Sequence, residues 1–209
     1  MIYSSAPSVK LAWKDALRRL YDEGYENPSR RFYRSAPAMV CVHDTRGEHY
    51  DDLYHLPVSE ISEGNRYLIT GEDGGGSIDD AIKMIRERLF GMRADGNSQV
   101  DRVVEYLQAN PYGRNAVLSL WDPMDLVSEN PPHVQSVAFH IEDEMLHAKV
   151  YARESDGYRR LLPDLSRFAT LQHHVADRLG ILPGKYAYFS DALHFHDNDR
   201  EHVDLLLAP

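Results

Sequence analysis

The stretch that decides the fold is Asn130-Pro131-Pro132-His133 through His194-Phe195-His196-Asp197-Asn198. Val137, Phe139 and Ile141 alternate with more polar residues, and so do Leu146, Ala148, Val150 and Ala152. A period of two places one set of side chains on one face of a strand. Glu142-Asp143-Glu144 separates the two runs, which predicts an antiparallel hairpin with Tyr151-Ala152-Arg153 closing its second strand. Pro163-Asp164-Leu165-Ser166-Arg167-Phe168 then opens a helix, since proline suits a first helical turn. Leu165, Phe168, Leu171, Val175 and Leu179 give that helix one apolar stripe, and Gly180 ends it. Tyr186 to His196 reads as a last strand.

Working outward, Leu11, Ala12, Ala16, Leu17 and Leu20 recur at helical spacing and predict a helix over Val9–Glu23, stopped by Gly24. Asn27 to Arg34 is basic and aromatic, with Arg30, Arg31 and Arg34 close together. Ala38 to His43 predicts a short buried strand, turned by Asp44-Thr45-Arg46-Gly47. Gly71 to Gly76 is a connecting loop; Glu72 and Asp73 would repel a phosphate there, and no Lys-Ser/Thr follows. Ser77, with Asp80 three residues on, predicts the N-cap of a helix through Leu89. Val100, Val103, Val104 and Leu107 mark another helix, ending near Asn110-Pro111. Ala116 to Trp121 is strand-like. Helices and strands mix without strict alternation, so the expected fold class is α+β, one domain over residues 1–209, with a mixed, largely antiparallel sheet packed with helices.

Composition narrows the function. The 209 residues are 43% hydrophobic and 27% charged, ordinary values for a globular protein. A net charge of -10 argues against a general nucleic-acid binder, which needs a basic footprint. The single cysteine, Cys41, cannot form an intrachain disulfide, which fits a cytoplasmic setting. Met1-Ile2-Tyr3-Ser4 does not start a signal peptide. No run approaches the ~20 apolar residues that span a bilayer, so no membrane partner is expected.

Further motifs align in order with the decisive stretch: Phe90-Gly91-Met92-Arg93, Gln99-Val100-Asp101-Arg102-Val103-Val104, Asn110-Pro111-Tyr112-Gly113-Arg114-Asn115 and Leu120-Trp121-Asp122-Pro123. Their common order and spacing resembles the thymidylate synthase and deoxycytidylate (CMP) hydroxymethylase family, over roughly residues 90 to 198. The resemblance implies a thymidylate synthase-like fold and a pyrimidine nucleoside monophosphate as ligand. It also implies a homodimer, because Arg114 stands where the family reaches into the partner's site. Arg153 stands where the family holds the 5'-phosphate, a task that suits an always-charged, bidentate guanidinium. Ser155 is the candidate to replace a phosphate-contacting serine, whose own place Glu154 takes; Asp156 matches an aspartate beside the base. His194 and His196 match the pair on the sugar hydroxyl, and as i and i+2 of a strand they share a face. Asp164 stands where uracil-binding members carry asparagine and cytosine-binding members aspartate. A carboxylate accepts from the cytosine 4-amino group, which points to cytidylate; a carboxylate in a helix's first turn also simply favours the dipole.

The departures are equally specific. The family's nucleophilic cysteine is His133 here, followed by Val134, with Ala138 in place of a glutamine. An imidazole does not replace a thiolate in addition to pyrimidine C6, though it can serve as acid or base near neutral pH. Asn115 replaces the second partner arginine. The family's tail that closes over folate has no counterpart in Asp199–Pro209, so the domain is expected to be short at its C-terminus and folate is not expected. The cofactor is left unassigned. Histidines recur at His173-His174, His194-x-His196 and His133, but without a His-Glu-x-x-His or cysteine-cluster motif no metal is assigned. Three functions stay open. One is a divergent cytidylate-type enzyme with His133 as acid or base, set in the biosynthesis of nucleoside natural products. The others are a non-catalytic nucleotide-binding relative that regulates a partner, and a pocket repurposed away from nucleotides.

Overall fold

A computed structural model describes residues 1–27, 32–47, 49–52, 54–75 and 78–208, without the side chains of 27, 32 and 33. The strands are β1 (Ile2–Ala6), β2 (Tyr25–Asn27), β3 (Phe32–Val42), β4 (Val117–Ser119), β5 (Val134–Glu142), β6 (Met145–Ala152), β7 (Ser155–Asp156) and β8 (Leu182–His196). The helices are α1 (Val9–Glu23), α2 (Val58–Thr70), α3 (Asp80–Phe90), α4 (Gln99–Ala109), α5 (Leu161–Leu179) and α6 (Arg200–Leu206). The sheet runs β1-β3-β8-β6-β5-β4, with β2 on β3 and β7 on β8. It is mixed: β1/β3, β6/β8 and β7/β8 are parallel, and the other neighbours are antiparallel. The α+β fold with a mixed sheet is as expected.

Burial explains the layering. Val40, Tyr186, Tyr188, Val150 and Val137 are sealed in the core, where α1 packs on β1 and β3 and α5 on β6 and β8. Their strand neighbours point the other way and stay partly or fully open. Tyr3, Met39, Phe189 and Tyr151 are in register across β1, β3, β8 and β6, so they form one apolar row on that open face. Tyr151 and Phe189 stack there with centroids 5.1 Å apart.

The predicted hairpin is present, with Glu142 opposite Met145. Its two-residue turn holds Asp143 at φ 50° and Glu144 at φ 58°, a left-handed pair whose twist matches the strands. The first helix has its predicted limits, but Leu11 is exposed and Trp13 is buried instead. Asp79, two residues beyond the expected cap, caps α3 by accepting from the Ala81 amide; Ser77, like Arg30 and Arg31, lies outside the described residues. β1, α2 and α6 were not legible in advance. In α2 the core stripe Ile61-Gly64-Asn65-Leu68 is masked by poor helix formers. Gly64 lets Ile82 of α3 pack closely, since a Cβ there would come within 2.9 Å of the Ile82 Cδ1 and push that side chain aside.

Candidate functional site

Four segments converge on a cavity of about 660 Å³. The antiparallel pair β5/β6 brings His133 and Arg153 together at its open end, where the Arg153 amide donates to the His133 carbonyl over 2.9 Å. The start of α3 adds Asp79 and Asp80, and the first turn of α5 sets Asp164 behind His133, outside the cavity lining. Pairing of β7 with β8 sets Asp156 beside His194.

His133 and Asp164 form the tightest contact of the site. His133 Nε2 lies 2.6 Å from Asp164 Oδ2, while Arg167 Nη1 donates to Oδ1 over 2.6 Å. Asp164 is only 2% exposed. Burial pushes its carboxyl upward, but the charge and hydrogen bond of His133, with Arg167 and Arg160, outweigh burial and hold it below the usual carboxylate range. An ionised carboxylate only accepts, so Nε2 of His133 carries the proton in this pair. Arg167 was missed in the sequence, although its i,i+3 spacing from Asp164 on a helix was a readable signal.

Asp156 is fixed by its own turn. Oδ1 accepts from the Tyr158 and Arg159 amides over 3.0 and 2.7 Å, and Oδ2 lies 3.6 Å from His196 Nε2. Trp13 of α1 donates its indole N–H to the Gly157 carbonyl over 2.8 Å, and Arg159 forks onto Asp199 at 2.7 Å through both nitrogens. The segment before α6 therefore buttresses the turn that carries Asp156.

A β-bulge aims the two histidines. Ala38 faces Ser190, but Ala36 faces Leu193, so β8 has one residue extra. The alternation that buries Tyr186, Tyr188 and Ser190 would otherwise have sent His194 and His196 into the core. The bulge sends Leu193 and Phe195 there and turns both histidines to the cavity. Their rings meet edge-on with centroids 5.3 Å apart. Burial chiefly pushes the His194 imidazole below its ordinary value, against the opposing pull of the Ala192 carbonyl and Asp156.

The other sequence candidates are placed as follows. Ser155 is buried on the cavity wall. Arg153 reaches the cavity, but its Nη1 pairs with Glu154 at 2.6 Å and it also donates toward the Pro131 and Pro132 carbonyls. Arg114 is exposed and does not line the cavity. Burial first, then the charges of Lys149, His147 and Arg114, push His140 below its ordinary value. Arg34, from the basic Asn27–Arg34 stretch, bonds the Gly24 carbonyl and does not line the cavity. A second cavity of about 620 Å³ adjoins the first, sharing Asp79 and Arg160, and has Asp164 and Arg167 in its wall.

A mixed sheet with helices on one face and a cavity at the β5/β6 and β7/β8 ends defines an α+β scaffold, and the comparisons with known proteins give its family. The thymidylate synthase family pattern matches residues 64–208, from α2 through α6, and the chain belongs to that family. It is 24% identical over 115 residues to the thymidylate synthase of Mycoplasma pneumoniae, covering 54% of this chain and 40% of that protein. It is 28% identical over 102 residues to the thymidylate synthase of Buchnera aphidicola, covering 48% of this chain and 38% of that protein. The matched region thus spans about two fifths of each relative. Among the described residues, no helix is long and apolar enough to cross a membrane.

Proposed function

We propose that the cavity binds a pyrimidine nucleoside monophosphate, cytidylate in preference to uridylate, and that His133 acts there as acid or base. The observation that carries this reading is the 2.6 Å contact between His133 and buried Asp164. A carboxylate that accepts from one ring nitrogen orients the imidazole and fixes which nitrogen keeps a lone pair. With His133 in its neutral form, the lone pair left on Nδ1 accepts from a cytosine 4-amino group, where uracil O4 offers only another acceptor. Asp164 thus acts on the base through His133, as a positioning residue. Arg153 is the phosphate group's partner in this reading, with Ser155 beside it, and a bound phosphate displaces Glu154. Arg114 completes the phosphate site of a second copy, docked on the open sheet face through the row from Tyr3 to Tyr151. Folate is not part of this proposal.

Parallel calorimetric titration with CMP, dCMP, UMP and dUMP tests it. Saturable binding with a cytidylate preference supports the site; binding of none of the four refutes it. With a substrate identified, His133→Ala is expected to lower turnover by about 10²-fold or more while binding changes little. Unchanged turnover would leave a binding protein in place of an enzyme.

A further inference from the structure

We infer that Asp156, His194 and His196 form a binding site for one divalent first-row transition cation, zinc or iron(II), on the wall of the main cavity. One ring nitrogen of each histidine and a carboxylate oxygen of Asp156 lie within 4.8 Å of one another. Two imidazoles and one carboxylate are a donor set that suits these cations and leaves coordination positions open to the cavity. Tetrahedral zinc with bonds of about 2.0–2.1 Å holds its ligands about 3.3 Å apart. His196 and Asp156, at 3.6 Å, already approach that spacing, and small side-chain rotations close the rest.

The surrounding bonds orient two of the three ligands. His194 Nδ1 can only donate to the Ala192 carbonyl, 3.0 Å away, so in the neutral ring Nε2 keeps the lone pair that a metal needs. Asp156 Oδ1 is held by the Tyr158 and Arg159 amides, which leaves Oδ2 as the ligand atom facing His196. Both are the outer hydrogen bonds by which metal ligands are commonly held.

Charge points the same way. Asp79, Asp80, Glu129 and Glu154 line the cavity together with Asp156. Arg153 and Arg160 are the guanidinium groups on the same wall, and Arg153 is paired with Glu154. The carboxylates outnumber the guanidinium groups, and such a wall attracts a cation. The bulge in β8 is what gathers the three ligands, since without it both histidines would point into the core. The site goes beyond the nucleotide reading and does not rest on it.

The test uses the full chain purified without a metal-affinity tag and stripped with chelator. It is titrated with Zn(II) and Fe(II), the latter without oxygen, against a competing chelator, and with Co(II) for its visible absorption. One equivalent per chain is expected, with nitrogen-ligand bands in the Co(II) form. His194→Ala and His196→Ala should each weaken binding by at least the 10–100-fold that loss of an outer-shell partner costs. His133→Ala should leave affinity unchanged, because His133 is bonded to Asp164. Asp156→Asn keeps a side-chain acceptor for the two amides, so its weakened binding reports the lost carboxylate even where Asp156→Ala does not fold. Substoichiometric binding, or a full equivalent that survives both histidine substitutions, overturns the site. Metal binding without affinity for any of the four monophosphates would support the site and refute only the nucleotide reading.

Discussion

His133 Nε2 lies 2.6 Å from Asp164 Oδ2, although the two residues are 31 positions apart in the chain. The carboxylate is buried, ionised and also held by Arg167. Breaking a buried pair costs more than the pair itself contributes, because the abandoned charge stays behind. Asp164→Asn is therefore expected to lower stability by about 3 kcal/mol in urea unfolding at pH 7.

The same pair predicts acid sensitivity. The folded-state pKa of Asp164 is depressed, so below the ordinary carboxylate value of about 4 the unfolded chain binds the proton first. The stabilisation is complete above that pH and is lost as pH falls through the folded-state value. Urea midpoints measured downward from pH 7 should fall on the acid side, and fall less steeply in Asp164→Asn. Parallel curves for both proteins would show that Asp164 titrates alike folded and unfolded.

Arg153 is already engaged by Glu154, in a pair about one-third exposed on both sides. Such pairs contribute only ~0.2–1 kcal/mol. Releasing the arginine by Glu154→Gln should tighten monophosphate binding by about threefold, and Arg153→Ala should weaken it by about tenfold. Nucleosides lacking the phosphate should respond to neither. Equal effects on nucleosides and monophosphates would remove Arg153 from the phosphate's environment.

The open sheet face carries the row Tyr3, Met39, Phe189 and Tyr151. Light scattering on the eluting protein should give a dimer, and Phe189→Lys should give a monomer by placing a charge in the row's centre. A monomeric wild-type chain would exclude Arg114 from any partner's site.

The hairpin turn offers a stability test away from the site. Asp143 and Glu144 both have left-handed backbones, which cost a non-glycine residue roughly 1–2 kcal/mol. Glu144→Gly should stabilise the fold by about 1 kcal/mol, visible as a raised urea midpoint.

Much of the architecture was legible because it is local. The β5/β6 hairpin follows from two alternating runs and a polar turn, and α1, α4 and α5 follow from apolar stripes and their stops. α2 was hidden by Gly64 and Asn65, whose presence answers to packing: Gly64 admits Ile82 of α3, and Asn65 donates to Ser166 of α5 over 2.8 Å. Both partners are distant in the chain, so no local pattern shows them. Among the site residues, His133, Arg153, Ser155, Asp156, His194 and His196 do gather on one cavity wall. Asp164 stands just behind His133, and Arg114 is exposed and does not line the cavity.

What the sequence determined by itself was the family, through the order and spacing of its motifs, and the chemical inventory: an imidazole just ahead of β5, and an aspartate in the first turn of α5. Those are properties of residue type and short-range spacing. Only the tertiary structure decided which groups meet. The His133–Asp164 contact depends on how α5 packs against β6 and β8, and the Asp156–His194–His196 cluster depends on one extra residue in β8. A single inserted residue reverses every side chain beyond it, and its place is set by pairing with β3, far away in the chain.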